Sequence, residues 1–360
     1  MGCRSVGDLC RVISLGRMDV LKILVERNIP FIKGLLEPVA NVEYLAAEEF
    51  TPVTVADADA LIVRTRTHCD ASLLDGSRCS FIATATIGTD HIDMDYCRER
   101  GIVVANAPGC NAPAVAQYVF ASIACVIDRP IDQYTIGIVG VGHVGKIVER
   151  WARQMGMNVL LCDPPRAEVE CTNNFVSLDR IAYDADIITF HTPLTRQGKY
   201  PTYHICDADF ISRLKKSPLV INCARGGVFD TDAVIAALDG GVISNVVVDC
   251  WEGEPLLSRT LLEKAVVATP HIAGYSHEGK VRATSMALQA LCRHFDLSGI
   301  DVAEQVPSGA AQDVTIKKIA DSYNPLIDTS ALRATLSLPD TALTATFEHL
   351  RNSYTYRPEV

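Results

Sequence analysis

The sequence has no Cys-x-x-Cys pair, no apolar run long enough to cross a bilayer and no surplus of basic residues. Its thirteen cysteines are scattered and odd in number, which excludes zinc-knuckle spacing and argues against a disulfide scaffold. They read as apolar filler in a reducing, cytoplasmic setting, and no metal is expected. The longest apolar stretch, Ala114 to Ile127, is broken by Gln117, Tyr118 and Ser122; it is too short for a membrane span and reads as a buried helix. With 33 Lys and Arg against 43 Asp and Glu, the net charge of −10 argues against a nucleic-acid partner, which needs a basic face. A local basic pocket for a small anion stays open. Residues 1–17 carry Arg4, Arg11 and Arg17 without the sustained apolar core of a signal peptide. This leader is expected outside the fold, and Met18 is an alternative start.

What is present is organised around residues 135–145. A β-branched run, Ile136 to Val139, feeds Gly140-x-Gly142-x-x-Gly145, and a periodic segment from Lys146 to Met155 predicts a helix. One glycine permits the tight turn, one lets the backbone approach a pyrophosphate, and one lets helix and strand pack closely. The helix N-terminus then offers free N–H groups to phosphates. Asp163 ends the next apolar run, where a carboxylate would accept the ribose hydroxyls. Strand, glycines, helix, strand and acid in this order predict an NAD site.

At 360 residues the chain has room for two or three domains. Strand-like runs at Leu21–Val25, Leu61–Arg64, Phe81–Ala85 and Ile102–Asn106 alternate with helix-like segments such as 72–74 and 93–100. That alternation predicts a parallel α/β domain over 18–111. Asn111 is a candidate cap for a helix from Pro113 to about Asp128. Six further runs, Ile136–Val139, Val159–Cys162, Ile187–Phe190, Leu219–Asn222, Val246–Val248 and Val266–Ala268, predict a doubly wound sheet over 112–275. A helix over 276–299 leads out and completes the first domain. Residues 300–360 change character, with turn residues mixed into short apolar runs over 302–328 and an amphipathic helix at 343–353.

Ligands of open α/β sheets bind beyond the carboxyl ends of strands. There the second domain offers His191-Thr192-Pro193, Cys223-Ala224-Arg225-Gly226-Gly227, Asp249 to Pro255, and Thr269 to Tyr275. Arg225 can hold a carboxylate through two parallel hydrogen bonds. His271 can take a proton from a hydroxyl while hydride leaves the same carbon. Glu254 ends the preceding strand and would fix the imidazole's tautomer; Glu252 is its rival, and His191 is an alternative base. The first domain's strand end Arg64-Thr65-Arg66-Thr67 has the composition of an anion site.

Gly140–Gly145, Asp163-Pro-Pro, His191-Thr-Pro-Leu, Asn222-x-x-Arg225-Gly, Asp249-x-x-Glu252-x-Glu254-Pro and Pro270-His271-Ile-Ala-Gly274 together resemble the D-2-hydroxyacid dehydrogenase family over residues 20 to 295. The resemblance implies two Rossmann-like, doubly wound parallel-sheet domains with Arg225, Glu254 and His271 as the catalytic triad. Further stretches, among them Thr84–His91, Cys162–Arg166, His271–Lys280 and the ending Phe347–Tyr354, are similar to a branch of that family acting on a phosphorylated hydroxy acid. That branch implies a small C-terminal α+β dimerisation domain at 300–360 and a homodimer. It implies substrate contacts at Thr65, Thr86 and Tyr275, to which the strand-end anion cluster adds Arg64. NAD contacts are implied at Gly140, Gly142, His143, Val144, Gly145, Asp163, Thr192, Cys223, Ala224, Arg225, Asp249 and Gly274. His143 stands where asparagine or arginine is usual in the family, and residues 300–342 match poorly. Another 2-hydroxyacid dehydrogenase, or an NAD-sensing binding protein, are the alternative readings.

Overall fold

Short runs of β-branched and leucine residues, each closed by a glycine, proline or polar residue, become the strands of two parallel sheets. The computed structural model describes residues 20–172, 174–298, 300 and 310–360; the leader 1–17 lies outside them. The described residues divide into two compact units, one of those within 20–84, 88–105 and 288–300, the other of those within 85–87, 106–287 and 310–360. The helix His277–Phe295 thus passes from the second unit into the first.

The first unit holds β1 (Lys22–Glu26), β2 (Asn41–Leu45), β3 (Ala60–Val63), β4 (Phe81–Thr84) and β5 (Val103–Ala105). They lie in the order β2-β1-β3-β4-β5, every pairing parallel. Chain order reverses between β1 and β3, and ligands of such sheets gather at this switch point. Leu24, Leu61, Val63 and Ile82 are fully buried in its core.

The second unit holds β6 (Thr135–Val139), β7 (Asn158–Cys162), β8 (Ile187–Phe190), β9 (Leu219–Asn222), β10 (Asn245–Val248) and β11 (Val267–Ala268). Their order is β11-β10-β9-β8-β6-β7, again all parallel, with the switch point between β6 and β8. Side chains alternate across the sheet: Val246 and Val248 enter one apolar cluster and Val247 the other. The helix Ala112–Ala124, buried along nearly its whole length, lies in the cluster of Val247. It stops short of the expected Asp128. Asn111 occupies the N-cap position but makes no capping hydrogen bond; Pro113, which lacks the N–H a cap would serve, stands at the helix start instead.

Among the described residues the C-terminal segment is helical, with helices Ile316–Ser322, Pro325–Arg333 and Asp340–Asn352 and a single bridge, Arg357 to Ser276. The β part of the α+β expectation is reduced to that bridge. Leu332, Leu343 and Phe347 join one core cluster of the second unit, and Val314 and Ile319 join the other. These helices therefore share the second unit's two cores instead of building a third.

Candidate active site

The glycine loop leaves β6 at the switch point. Gly140 has φ +88°, and a Cβ there would lie 2.8 Å from the His191 carbonyl carbon and 2.9 Å from Thr192 N. Only glycine allows both the turn and this approach to the loop after β8. A Cβ on Gly145 would lie 2.2 Å from the Gly140 carbonyl oxygen, so helix and strand pack in contact. Around Gly142 no protein atom lies within 4 Å of that position. The helix His143–Gln154 begins there, leaving its first N–H groups and its positive end beside open space. Thr192 Oγ1 is buried without a hydrogen-bond partner. An anion acceptor beside the helix start and a hydroxyl partner for Thr192 are what NAD would bring, so these residues fit it.

Asp163 ends β7 and braces the loop. Its Oδ2 accepts the Val141 N–H at 2.8 Å and its Oδ1 caps the next helix through Arg166 N at 3.1 Å. Arg166 donates to the Val141 carbonyl at 2.6 Å and pairs with Glu170 at 2.6 Å. Its guanidinium is committed to the loop and a neighbouring acid, and β7 ends in a carboxylate, a combination ill suited to the 2′-phosphate of NADP.

His271 follows β11 at φ +57°, a conformation that non-glycine residues adopt seldom and hold only when their surroundings enforce it. Its Nδ1 meets Glu254 Oε1 at 2.5 Å, and Glu254 Oε2 accepts the Trp251 N–H at 3.1 Å. Burial pushes the Glu254 carboxyl up, but the His271 charge, the imidazole hydrogen bond and the Trp251 N–H outweigh it and leave the group below the ordinary carboxylate range. With Nδ1 occupied, Nε2 is the nitrogen left to exchange a proton.

The rival residues have other partners. Glu252 pairs with His204 Nε2 and accepts the Thr231 N–H at 3.3 Å. His191 places Nε2 3.0 Å from Thr189 Oγ1, and burial lowers its imidazole to about 3, too weak a base for a hydroxyl.

Behind His271 lies the fully buried Asp249. Its Oδ1 accepts from Thr269 Oγ1 at 2.7 Å and from Ile272 N at 2.8 Å, and its Oδ2 from Ala273 N at 3.0 Å. Burial drives its pKa up against the His271 charge and these donors, which hold it down. Tyr118 OH lies 2.6 Å from Thr269 Oγ1 and extends the network. Gly274 faces Asn111 so closely that a Cβ would lie 2.0 Å from Asn111 Nδ2.

Arg225 is half-buried after β9, its Nη1 donating to the Ala224 carbonyl at 2.9 Å. Asn222 shapes this loop, donating to the Arg225 carbonyl at 2.9 Å and accepting Ala224 N–H at 3.1 Å. A Cβ on Gly226 would lie 1.9 Å from the Trp251 carbonyl oxygen. The loops bearing Arg225 and Glu254 thus touch backbone to backbone. The Cys223 thiol is pushed well above its ordinary value by burial, which leaves its main chain as the useful part.

In the first unit, β1 and β3 end on either side of the switch point. Glu26 Oε2 accepts the Arg64 N–H at 2.8 Å, and Arg64 Nη1 donates to the Asn28 carbonyl at 3.0 Å. Thr65 and Arg66 are exposed. Thr67 departs from the expected anion cluster: it is buried and donates to Glu26 at 2.9 Å, so its hydroxyl serves the strand end. Thr86, in the second unit, is half-buried, and its carbonyl accepts the Ala107 N–H at 2.9 Å. Arg357 is the site residue that the strand ends do not point to, while Asn222 and Thr269 stand at strand ends without a role assigned from sequence. Asn222 and Thr269 close or follow apolar strands and read as ordinary ends; Arg357 stands 86 positions after His271, with no motif linking them.

Residues 122–273 match the family model described as D-isomer specific 2-hydroxyacid dehydrogenase, NAD binding domain. The erythronate-4-phosphate dehydrogenase of Bacteroides thetaiotaomicron is 46% identical over 346 residues, covering 94% of this chain and 97% of that protein. The Escherichia coli protein of the same name is 38% identical over 353 residues, covering 94% and 92%. Among solved structures, a D-lactate dehydrogenase from Aquifex aeolicus complexed with NAD and lactic acid has a TM-score of 0.65 at 24% identity, over 82% of this chain and all of that one. An NAD+-bound 3-phosphoglycerate dehydrogenase from Entamoeba histolytica has a TM-score of 0.66 at 25% identity, over 80% and 99%.

Proposed function

From the premise that the chain belongs to the D-isomer specific 2-hydroxyacid dehydrogenase family, we propose that it oxidises 4-phospho-D-erythronate at C2 with NAD. The product is (R)-3-hydroxy-2-oxo-4-phosphooxybutanoate, on the route to pyridoxal 5′-phosphate (vitamin B6). The observation that carries this reading is the His271–Glu254 pair on the NAD-binding unit, in a chain 38–46% identical to proteins named for that activity.

NAD, when bound, supplies the hydride acceptor. Gly140, Gly142, Gly145 and the main chain of His143 and Val144 would hold the pyrophosphate, and Asp163 the adenosine ribose. Thr192, Cys223, Ala224, Arg225 and Gly274 would line the nicotinamide half. Asp249, whose oxygens already accept the Thr269 hydroxyl and the Ile272 and Ala273 N–H groups, would serve that half by fixing the loop.

His271 Nε2 would take the C2 hydroxyl proton as the C2–H bond gives up its hydride, so a carbonyl forms and the charge created sits on an imidazolium facing Glu254. Arg225 would clamp the substrate carboxylate. Tyr275 and Thr86 would contact the substrate. Arg64 and Thr65, at the first unit's switch point, would take its phosphate. The exposed Leu326 and Ile327 of helix Pro325–Arg333 support a homodimer through the C-terminal segment. No helix among the described residues is long and apolar enough to cross a membrane, in keeping with a cytoplasmic enzyme.

His271→Ala tests the assignment. It should abolish measurable NADH formation, a fall of at least about a hundredfold, with NAD affinity kept. A variant that turns over normally removes His271 from the chemistry.

A further inference from the structure

The loop that carries His271 is held from two sides by opposite charges. Asp249 accepts the N–H groups of Ile272 and Ala273. The carbonyls of the same two residues go to Arg357, 85 and 84 positions further along the chain. Arg357 is 6% exposed. Its Nη1 donates to the carbonyls of Ile272 at 3.2 Å and Tyr275 at 3.1 Å. Its Nη2 donates to Ala273 O and, at 3.1 Å, to Ala114 O. Nε reaches Gln117 Oε1 at 3.4 Å, and the Tyr323 ring centroid lies 4.3 Å from Cζ. Five donors in a fixed planar fork suit such a task, and a lysine cannot reproduce it.

The rest of the tail follows the same course. His277 N donates to the Arg357 carbonyl at 3.0 Å, and Glu359 accepts from Ser276 Oγ at 2.7 Å and pairs with Arg282. The Tyr354 and Tyr356 rings each lie 6.2 Å from the Tyr275 ring, with Lys280 Nζ 3.7 Å from the Tyr275 centroid. Every one of these groups belongs to the second unit.

We propose that Arg357 is a positioning residue for the reaction: the strap Tyr354–Glu359 fixes the main chain of 272–275, and so sets the geometry in which His271 and Tyr275 meet the substrate. The proposal rests on the reading of His271 as the proton acceptor. A left-handed histidine needs a surround that over-determines it, and here the carboxylate and the guanidinium grip one dipeptide from opposite ends.

The test compares wild type, Arg357→Lys and Arg357→Ala by amide hydrogen exchange of the 272–277 segment and by kcat, KM and NAD affinity. Arg357→Lys should raise exchange in that segment. It should lower kcat about tenfold to a hundredfold, the scale of a misplacement near 1 Å, with NAD affinity within about twofold of wild type. Guanidinium ion added to Arg357→Ala should restore part of kcat. A merely structural arginine would lower the melting temperature and leave kcat, measured well below it, unchanged; that result overturns the proposal. So does unchanged exchange, whatever the substrate. If neither Arg357 variant folds, Glu359→Gln decides: a several-fold loss of kcat supports the strap, and wild-type kcat contradicts it. His271→Ala in parallel separates the two ideas, since its failure to lose turnover removes the acid–base reading while the exchange data still judge the strap.

Discussion

At the scale of single residues, the site rests on which acid meets His271. Glu254 and Glu252 lie two positions apart on one loop, and their strand-end placement ranks them without deciding. The turn between them sends Glu254 to His271 and Glu252 to His204. Glu254→Gln should therefore lower kcat at least about tenfold, through loss of the carboxylate that stabilises the imidazolium, whereas Glu252→Gln should stay within about threefold of wild type; steady-state kinetics of the pair checks this. The pH dependence follows from the same contact. Because Glu254 is held below the ordinary carboxylate range, its stabilising contribution is complete above that range and is lost as pH falls through the lowered value. Melting temperatures across the acid range should show the advantage of wild type over Glu254→Gln shrinking as pH drops. Equal curves contradict the pairing. Arg225, Glu254 and His271 stand out in the sequence because each lies in the polar loop that follows an apolar strand. Asp249's true partners were not, since a buried carboxylate bonded to its own loop reads in sequence like any strand-end acid.

At the scale of elements, the glycine motif makes the sharpest forecast, because its glycines face different surroundings. Nothing lies within 4 Å of a Cβ on Gly142, so Gly142→Ala should leave the melting temperature of the NAD-free protein within about 2 °C. It should weaken NAD binding at least about tenfold by obstructing the pyrophosphate. Calorimetry measures both; unchanged affinity would place the pyrophosphate elsewhere. Gly145→Ala, 2.2 Å from the Gly140 carbonyl, should destabilise the protein itself by about 1–3 kcal/mol. Ten of the eleven strands among the described residues were legible from their apolar runs. The missing one, Asn41–Leu45, is an edge strand that alternates exposed Asn41 and Glu43 with half-buried Val42 and Tyr44, so it presents no continuous apolar run. The helices Ile316–Ser322 and Pro325–Arg333 were hidden for a related reason: each is short, and each shows the core few apolar residues. The third, Asp340–Asn352, was legible because Leu343, Phe347 and Leu350 repeat at helical spacing.

At the scale of the whole molecule, the C-terminal segment is the part the sequence described least well. Its residues enter the cores of the nucleotide-binding unit through contacts far apart in the chain, which no local pattern encodes. The 70% exposed Ile327 lies on the surface proposed for dimerisation. Ile327→Asp should shift sedimentation from dimer toward monomer without unfolding the protein; an unaltered dimer would move the contact elsewhere. The central claim, though, is the reaction. Purified protein should be mixed with NAD and either 4-phospho-D-erythronate or 3-phosphoglycerate, and reduced nicotinamide followed by absorbance, free and protein-bound. The account predicts reduction with 4-phospho-D-erythronate, with kcat/KM at least about tenfold above that for 3-phosphoglycerate, a margin of about 1.4 kcal/mol. Turnover of 3-phosphoglycerate alone would keep the family and contradict the substrate.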